Sequence, residues 1–268
     1  MESEISNLYE RSNYLNKNID LLTNVVIIEY DLHSANTSLC REYRLLPEKE
    51  IENLENAPKK KRVVAIGKKM QKDKEFKEKL SDAFTDIRKR FFEANHIIDK
   101  DILAIKKDAI FTLREVQTTD FGYCHFAKKN QYSSYMYLPK IRLELYYTSK
   151  GETLGDGGKV DVKGIDDTIV KKHDGFMNDF FKNLFKHLET SSKPVIFGYL
   201  KRFIDRYKHL QLEVGYYREY DQNSIFRLND AEETFDDPMF IPYEHRQEHI
   251  NIDYNFFNIL LPIINIII

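Results

Sequence analysis

The sequence predicts a mixed α+β protein in which an antiparallel sheet packs against helices. Two runs of β-forming residues, Val25–Leu32 and Ile102–Thr112, stand on either side of a long stretch with helical periodicity. Tyrosine-rich segments with strand character follow between residues 121 and 165. Residues 170–210 then show the pattern of amphipathic helices. These segments together predict a chain that mixes strands and helices.

Length and composition are those of a globular protein. The 268 residues can form one large domain or two small ones, and 42% are hydrophobic and 31% charged. The formal net charge is −2, so a nucleic acid would be held by local basic patches rather than by the overall field. Lys59–Arg62 is such a patch, although its composition also fits a solvated loop after Pro58.

The sequence favours a cytoplasmic protein without a membrane segment or a zinc–thiolate site. Cys40 and Cys124 form no CxxC pair. Residues 1–20 are polar and mixed in charge, unlike a secretory signal. The apolar run 256–268 is shorter than the roughly 20 residues of a membrane-spanning helix. We expect this run to complete a core or to dock on a protein partner.

The first part of the chain predicts a helix, a strand and a second helix start. Residues 1–24 are polar and predict a helical lead-in. Val25–Leu32 predicts a buried strand that carries Asp31 near its end. Ser34 or Asn36 can cap a helix directly after that strand.

The middle of the chain predicts one long helix followed by strands. Residues 63–95 contain no proline and repeat apolar side chains at three- and four-residue spacing. Ile102–Thr112 predicts one strand with a charged centre at Asp108, and Ser133–Leu138 and Ile141–Thr148 predict an antiparallel pair.

The last part predicts a closing strand and two helices. A glycine-rich turn at residues 151–158 leads into a short strand at Lys159–Ile165. Residues 170–210 predict two amphipathic helices that are separated near Pro194.

His245–His249 spells H-x-x-E-H, a pattern found in zinc proteases. Pro242 precedes it and a third zinc ligand is not evident, so we expect a surface turn or helix there.

Asp31 and Asp108 are the residues with the clearest chemical potential. Carboxylates on adjacent strands can together hold divalent cations that activate a 3′-hydroxyl and stabilise the leaving oxygen in phosphoryl transfer. Mg²⁺ suits such a pair, because phosphate oxygens and waters complete its coordination. Taken alone, an aspartate in an apolar strand is more often a hydrogen-bonded structural residue.

Residues 31–39 resemble the first palm motif of family B DNA polymerases, D-x-x-S-L-Y-P-S-I. Asp31, Ser34 and Ser38 match in place. Asn36 replaces the tyrosine that screens the sugar 2′ position. The resemblance therefore implies weak discrimination between ribonucleotides and deoxyribonucleotides.

Residues 106–111 resemble the D-T-D-S-V-F motif of the second metal-binding strand in the same family. Asp108 falls on the second aspartate, which pairs with the first motif to hold metal, whereas Lys106 replaces the first aspartate. Lys159–Ile165 is similar to the segment K-x-D-x-K-G-I that leads from palm to thumb. The fingers motif K-x-x-x-N-S-x-Y-G is absent from the sequence.

The resemblance implies a palm-like domain over residues 1–165, with a reduced fingers helix at about 58–98. Residues 166–268 would form a thumb-like helical region and the apolar tail. Asp31 and Asp108 would be catalytic and would bind Mg²⁺ or Mn²⁺. The implied nucleotide-binding residues are Ser34, Ala35, Asn36, Arg62, Lys68 and Lys69. Basic residues that flank the tyrosine-rich strands would bind nucleic acid or lie on a solvated sheet face: Lys128, Lys129, Lys140 and Arg142. The resemblance adds Lys163, which would contact the duplex backbone where the palm leads into the thumb.

Three functions remain open from the sequence. The first is a minimal template-dependent or related nucleotidyltransferase that acts on a nucleic acid primer-template and nucleoside triphosphates. The second is a catalytically degenerate polymerase-like module that binds nucleic acid or protein, which Lys106 and the missing fingers motif favour. The third is an unrelated interaction protein with chance matches. The Lys-, Asn- and Ile-rich composition indicates a phage or mobile-element origin.

Overall fold

The chain forms two compact units. The computed structural model describes residues 5–149, 158–165, 175–217 and 255–268. The first unit comprises Met1–Lys17 and Val26–Gln131, and the second comprises Asn18–Val25 and Tyr132–Ile268. The main division along the chain thus falls between Gln131 and Tyr132.

Antiparallel sheets packed with helices confirm the predicted α+β class. The strands of the described residues are β1 (Asn13–Leu15), β2 (Leu21–Leu22), β3 (Ile27–Leu32), β4 (Ile102–Lys106), β5 (Ala109–Thr112), β6 (Asp120–Phe121), β7 (Cys124–Tyr132), β8 (Ser134–Leu138), β9 (Leu143–Thr148) and β10 (Lys159–Lys163). The α-helices of the same residues are α1 (Ala35–Glu42), α2 (Glu48–Glu55), α3 (Lys59–Lys72), α4 (Lys74–Ala94), α5 (Lys182–Thr190), α6 (Lys193–Lys208) and α7 (Leu261–Ile267).

The first unit is built on a six-stranded sheet in the order β1-β4-β5-β3-β7-β6. Helix α4 contributes apolar side chains at three- and four-residue spacing to its core, as the sequence predicts. Phe91 lies at the centre of this core with no solvent exposure. Its ring centroid lies 4.5 Å from that of Phe126 and 5.7 Å from that of Tyr30, so it joins α4 to both β7 and β3.

The predicted long helix over residues 63–95 is two helices. Asp73 separates α3 from α4, because its backbone is extended (φ −123°, ψ 100°) and ends the helical hydrogen bonding. The Asp73 carboxylate accepts a hydrogen bond from the backbone N–H of Phe76 at 2.9 Å and thereby caps α4. The prediction of one helix is therefore wrong in its continuity, although the helical content is confirmed.

The predicted single strand over residues 102–112 is a hairpin of β4 and β5. Lys106 pairs with Ala109, so Lys107 and Asp108 form a two-residue turn. Lys107 adopts the left-handed conformation (φ 57°) that this turn requires. The charged centre that the sequence analysis placed inside a strand is therefore the tip of the hairpin.

The predicted helical lead-in is also wrong for the described residues 5–24. A short 3₁₀ turn at Asn7–Glu10 is followed by β1 and β2. β1 pairs with β4 in the first unit and β2 pairs with β8 in the second. Backbone pairing with distant strands therefore outweighs the polar local composition.

The second unit contains a four-stranded antiparallel sheet in the order β10-β9-β8-β2. β8, β9 and β10 agree with the strands predicted between residues 133 and 165. The two predicted helices are confirmed as α5 and α6, and Pro194 lies in the first turn of α6, where its missing N–H costs no helical bond. Gly164 directly follows β10 and has a positive φ. A Cβ at this position would collide with the carbonyl oxygen of Arg142.

The apolar C-terminal run forms part of the core of the second unit. Ile259, Leu260 and Ile263 are at most 1% exposed, which supports the expectation of a core segment. Phe257 and Ile268 remain exposed. No helix in the described residues has the length and apolarity to cross a membrane. The turn at 151–157 and the H-x-x-E-H segment lie outside the described residues.

Candidate functional site

The two predicted aspartates lie at the end of β3 and in the adjoining turn between β4 and β5. Asp31 is the penultimate residue of β3 and pairs with Ala109, the first residue of β5. Asp108 occupies the hairpin turn directly before Ala109. The backbone N–H of Leu32 donates to the carbonyl oxygen of Asp108 at 2.9 Å, which ties the turn to the end of β3.

Both aspartates line a cleft of about 270 Å³ in the first unit. The end of β3, the first turn of α1 and the first turn of α3 supply its other walls. The structure brings six of the predicted site residues to this cleft: Asp31, Ser34, Ala35, Asn36, Arg62 and Asp108.

The first turn of α1 presents backbone N–H groups to this cleft. Ser34 has a left-handed conformation (φ 48°), and its side chain does not cap the helix. The N–H of Thr37 donates to the Ser34 carbonyl oxygen at 2.9 Å, so regular helical bonding starts there. The N–H groups of Ala35 and Asn36, which precede Thr37, have no acceptor within the helix. Such a turn can receive an anionic group.

The first turn of α3 concentrates positive charge beside the same cleft. Its first four residues, Lys59–Arg62, are all basic, no acidic residue accompanies them, and Pro58 at the N-cap makes no side-chain cap. Cations at the positive end of a helix dipole are unfavourable, so an anion in the cleft would relieve this charge. The guanidinium of Arg62 lies 3.5 Å from the Ser34 hydroxyl and joins α3 to α1.

Lys59 lines the cleft, whereas Lys68 and Lys69 do not. Lys59 and Lys68 are nine residues apart on one helix, a rise of roughly 13 Å, which separates them along the helix axis. Lys69 instead pairs with Glu50 at 3.2 Å and lies over the ring of Phe76. The sequence did not single out Lys59 as a phosphate-binding residue, because the run 59–62 also fitted a solvated loop. The high density of positive charge in this run was the signal that could have indicated it.

The electrostatic environment of Asp31 is mixed. Burial raises the pKa of this carboxyl, and the carboxylates of Asp108 and Glu29 raise it further. The ammonium groups of Lys129 and Lys59 act in the opposite direction. The Asp31 carboxylate therefore gains a proton at a higher pH than an ordinary aspartate does, and a bound cation would have to compete with that proton.

The model of one protein family covers almost the whole chain. It is described as the bacteriophage PBS1 gene 130 protein, and it matches residues 3–268. The chain belongs to this family. The predicted phage association is thereby confirmed at the level of the family. None of the curated proteins matches the chain.

In this PBS1 gene 130 family protein, Lys129 lies beside two carboxylates. Its ammonium lies 3.5 Å from Glu29 and 3.7 Å from Asp31. Burial lowers the pKa of Lys129, but the carboxylates of Glu29 and Asp31 outweigh it and raise the pKa overall. Lys129 thus remains charged and supplies a counter-charge to the site.

The other lysines that the sequence suggested as nucleic-acid-binding residues do not line the cleft. Lys128 pairs with Glu115 at 2.9 Å on the surface of the first unit. Lys140 donates to the carbonyl oxygen of Phe257 at 3.3 Å in the second unit, where Lys163 is the last residue of β10. The tyrosine-rich strands β8 and β9 bury their rings, since Tyr135, Tyr146 and Tyr147 are at most 2% exposed. Those rings cannot stack on bases.

Arg88 of this family member holds the hairpin turn that carries Asp108, and the sequence analysis missed it. Its side chain lies in the core, and burial lowers its pKa to about 10. Its guanidinium donates to the carbonyl oxygens of Tyr9 at 2.7 Å and Lys107 at 3.3 Å. The signal was a basic residue on the apolar face of α4, next to Ile87.

The side chains present fit Mg²⁺ or Mn²⁺ better than zinc. Two carboxylates suffice for Mg²⁺ when substrate phosphates and waters complete its coordination. No group of three or more His, Cys, Asp and Glu side chains in the described ranges could hold a metal ion alone. Burial raises the pKa of both Cys40 and Cys124 to about 12, so neither provides a thiolate ligand.

On the expectation that Asp31 and Asp108 bind Mn²⁺, Lys129→Gln should change the pH dependence of that binding in two opposite ways. The pKa of Asp31 rises further because Lys129 lowers it, so binding is lost at a higher pH as the solution is acidified. Well above that pH, Asp31 is ionised in both proteins, and removal of a nearby positive charge strengthens binding by about threefold. Calorimetric titration of Mn²⁺ at several pH values measures both effects.

Lys128→Gln is the matched control for this experiment, because Lys128 pairs with Glu115 and not with the acidic site. Its pH profile should coincide with that of the wild-type protein. Identical profiles for all three proteins would contradict the electrostatic role given to Lys129.

Proposed function

We propose that this protein is a minimal divalent-metal-dependent nucleotidyltransferase with a polymerase-like palm. The observation that carries the proposal is the shared cleft, in which Asp31 and Asp108 face the first turns of α1 and α3. Carboxylates for a metal ion stand there beside amides and cations suited to a triphosphate. This combination is what in-line phosphoryl transfer requires.

Each group in the cleft has a role in this proposal. Asp31 and Asp108 would hold Mg²⁺ or Mn²⁺, which would supply charge stabilisation to the transferring phosphoryl group. Lys59 and Arg62 neutralise the phosphates of the incoming nucleotide. Asn36 lies beside the sugar, where its short side chain leaves room for a 2′-hydroxyl.

The hairpin geometry supports the comparison with the family B motif. In D-T-D-S-V-F the second aspartate binds metal, and Asp108 takes the corresponding place in a turn next to the strand of Asp31. Lys106, at the place of the first aspartate, ends β4 with its ammonium over the ring of Phe111. Because residue 106 is lysine where the motif has aspartate, the site has no third carboxylate from this position.

A catalytically degenerate nucleic-acid-binding module is the second candidate. The contact between Lys129 and Asp31 favours it, because an ammonium already provides a counter-charge at the metal-binding carboxylate. The two candidates differ in activity: the enzyme incorporates nucleotides when a divalent cation is present, whereas the degenerate module binds nucleic acid and incorporates none in any metal.

A nucleotide incorporation assay on the full chain tests the proposal. The protein is incubated with a labelled primer-template and with NTPs or dNTPs, in Mg²⁺, in Mn²⁺ and in EDTA. We expect extension in either metal, none in EDTA, and use of ribonucleotides as well as deoxyribonucleotides. An arm without template separates copying from untemplated addition. Folded protein that extends no primer in either metal would overturn the enzyme and favour the degenerate module.

A further inference from the structure

A second cavity of about 350 Å³ adjoins the cleft in the first unit. The two spaces share His33, Ser34, Thr37 and Arg62 as lining residues. A ligand with a group at Arg62 can therefore extend from one space into the other. The cavity's further wall is formed by Tyr123, in the turn between β6 and β7.

The aromatic ring of Tyr123 is exposed to solvent. It is 64% exposed, more than any other Tyr or Phe in the described part of the chain. Its backbone is nevertheless fixed, since its N–H donates to the Glu42 carboxylate at 2.8 Å. Glu42 in turn pairs with Arg90 at 2.9 Å. Gly122 has a positive φ, and a Cβ there would collide with Glu42, so the turn is tightly fitted to α1.

Arginine side chains flank the Tyr123 ring and the cavity floor. The guanidinium of Arg41 lies 5.6 Å from the centroid of the ring and is fixed by Glu48 at 2.7 Å and Glu55 at 3.1 Å. Those carboxylates balance the charge of Arg41. The guanidinium of Arg62 makes a long contact of 3.5 Å with the Ser34 hydroxyl and lines both spaces, so its charge can face an incoming anion.

We propose that this cavity binds one nucleotide of a single-stranded nucleic acid, with its base stacked on Tyr123 and a phosphate at Arg62. An exposed ring on a rigid backbone stacks on any base at little entropic cost, and a nearby cation holds the connecting phosphate. A duplex would not offer the base face that the ring requires. The inference rests on the proposed function, because the bound strand would then lead into the cleft as the template.

Binding of a short single strand to the full chain tests this site. Fluorescein-labelled oligo(dT) and oligo(U) of about 12 nucleotides are titrated in EDTA, without nucleoside triphosphate, and followed by anisotropy. We expect Tyr123→Ala to weaken binding by about tenfold, the usual loss for one stacked base. Tyr123→Phe keeps the ring face and should bind within about twofold of the wild type.

A salt series tests the phosphate contact. Arg62→Gln should reduce the slope of log K against log[salt] by about 0.7, the value for one phosphate of a single strand. Phe257→Ala is the matched control, because it removes an exposed ring from the second unit and should leave affinity and slope unchanged. Thermal unfolding of each variant verifies its fold.

The outcomes separate this site from the proposed enzyme. Equal affinity of Tyr123→Ala and wild-type protein would overturn the site, and so would a Tyr123→Phe variant as weak as Tyr123→Ala. If the Tyr123 effect appears but no nucleotide is ever incorporated, the proposed enzyme fails and the nucleic-acid site stands.

Discussion

Asp108→Asn should reduce metal-dependent nucleotide incorporation by about 10³-fold while leaving the unfolding temperature within a degree or so of the wild type. Asparagine keeps the shape of the side chain but removes the charge that binds the cation. Metal-based charge stabilisation contributes several kcal/mol to phosphoryl transfer, and each ~1.4 kcal/mol is tenfold in rate. Asp108 lies in a turn at the edge of the cleft, so the fold does not depend on its charge. Single-turnover primer extension measures the effect.

Asp31→Asn should show a loss of similar size, and the double variant should be hardly worse than either single one. Two groups that act on one cation are not additive, because the first removal already abolishes their shared effect. Asp120→Asn is the control, since Asp120 is exposed, pairs with His125 and does not line the cleft. Activity of Asp108→Asn within twofold of the wild type would remove Asp108 from the active site.

Phe91→Ala should lower the free energy of unfolding of the first unit by about 3–5 kcal/mol. Phe91 is fully buried, and its ring contacts those of Tyr30, Phe92, Phe121 and Phe126. Truncation to alanine therefore removes apolar contacts on several sides and leaves a cavity between α4 and the sheet. Urea unfolding followed by circular dichroism measures the change, with the slope of the transition compared between the two proteins.

Val195→Ala is the control for this measurement, because Val195 is 46% exposed on α6 of the second unit. It should change stability by less than about 0.5 kcal/mol. Since the chain has two units, two transitions can occur, and Phe91→Ala should move the one assigned to the first unit. A loss below about 1 kcal/mol for Phe91→Ala would show that this ring does not join α4 to β3 and β7.

The sequence predicts those elements whose local pattern agrees with their tertiary environment. β3 is a run of β-formers and is buried in the centre of a sheet. α5 and α6 show amphipathic spacing, and Pro194 marks the start of α6, where proline is favoured. Local preference and packing point the same way in these segments, so the prediction succeeds.

The failed predictions concern segments whose structure depends on distant partners or on one backbone conformation. β1 forms because β4 is available as a partner, which polar residues 5–24 do not reveal. The β4–β5 hairpin depends on a left-handed Lys107, a conformation that lysine rarely adopts. Asp73 divides a continuous helical pattern by acting as an N-cap, a role that its sequence neighbours permit but do not require.

The candidate site was partly predictable for a similar reason. Asp31 and Asp108 come together through strand pairing, which their positions in β-forming runs suggest. Lys59 could not be distinguished from Lys68 without the start and direction of α3. Arg88 and Tyr123 act through a buried backbone contact and a tight turn, and neither leaves a pattern along the chain.

The position of a bound cation decides whether Asp31 and Asp108 together form a metal site. A crystal of the full chain grown with Mn²⁺ and a non-hydrolysable nucleoside triphosphate would be measured at a wavelength where manganese scatters anomalously. We expect a manganese peak within about 2.0–2.3 Å of carboxylate oxygens of both Asp31 and Asp108, with phosphate oxygens beside Lys59 and Arg62. A triphosphate and manganese bound elsewhere, with Lys129 still the partner of Asp31, would contradict this expectation.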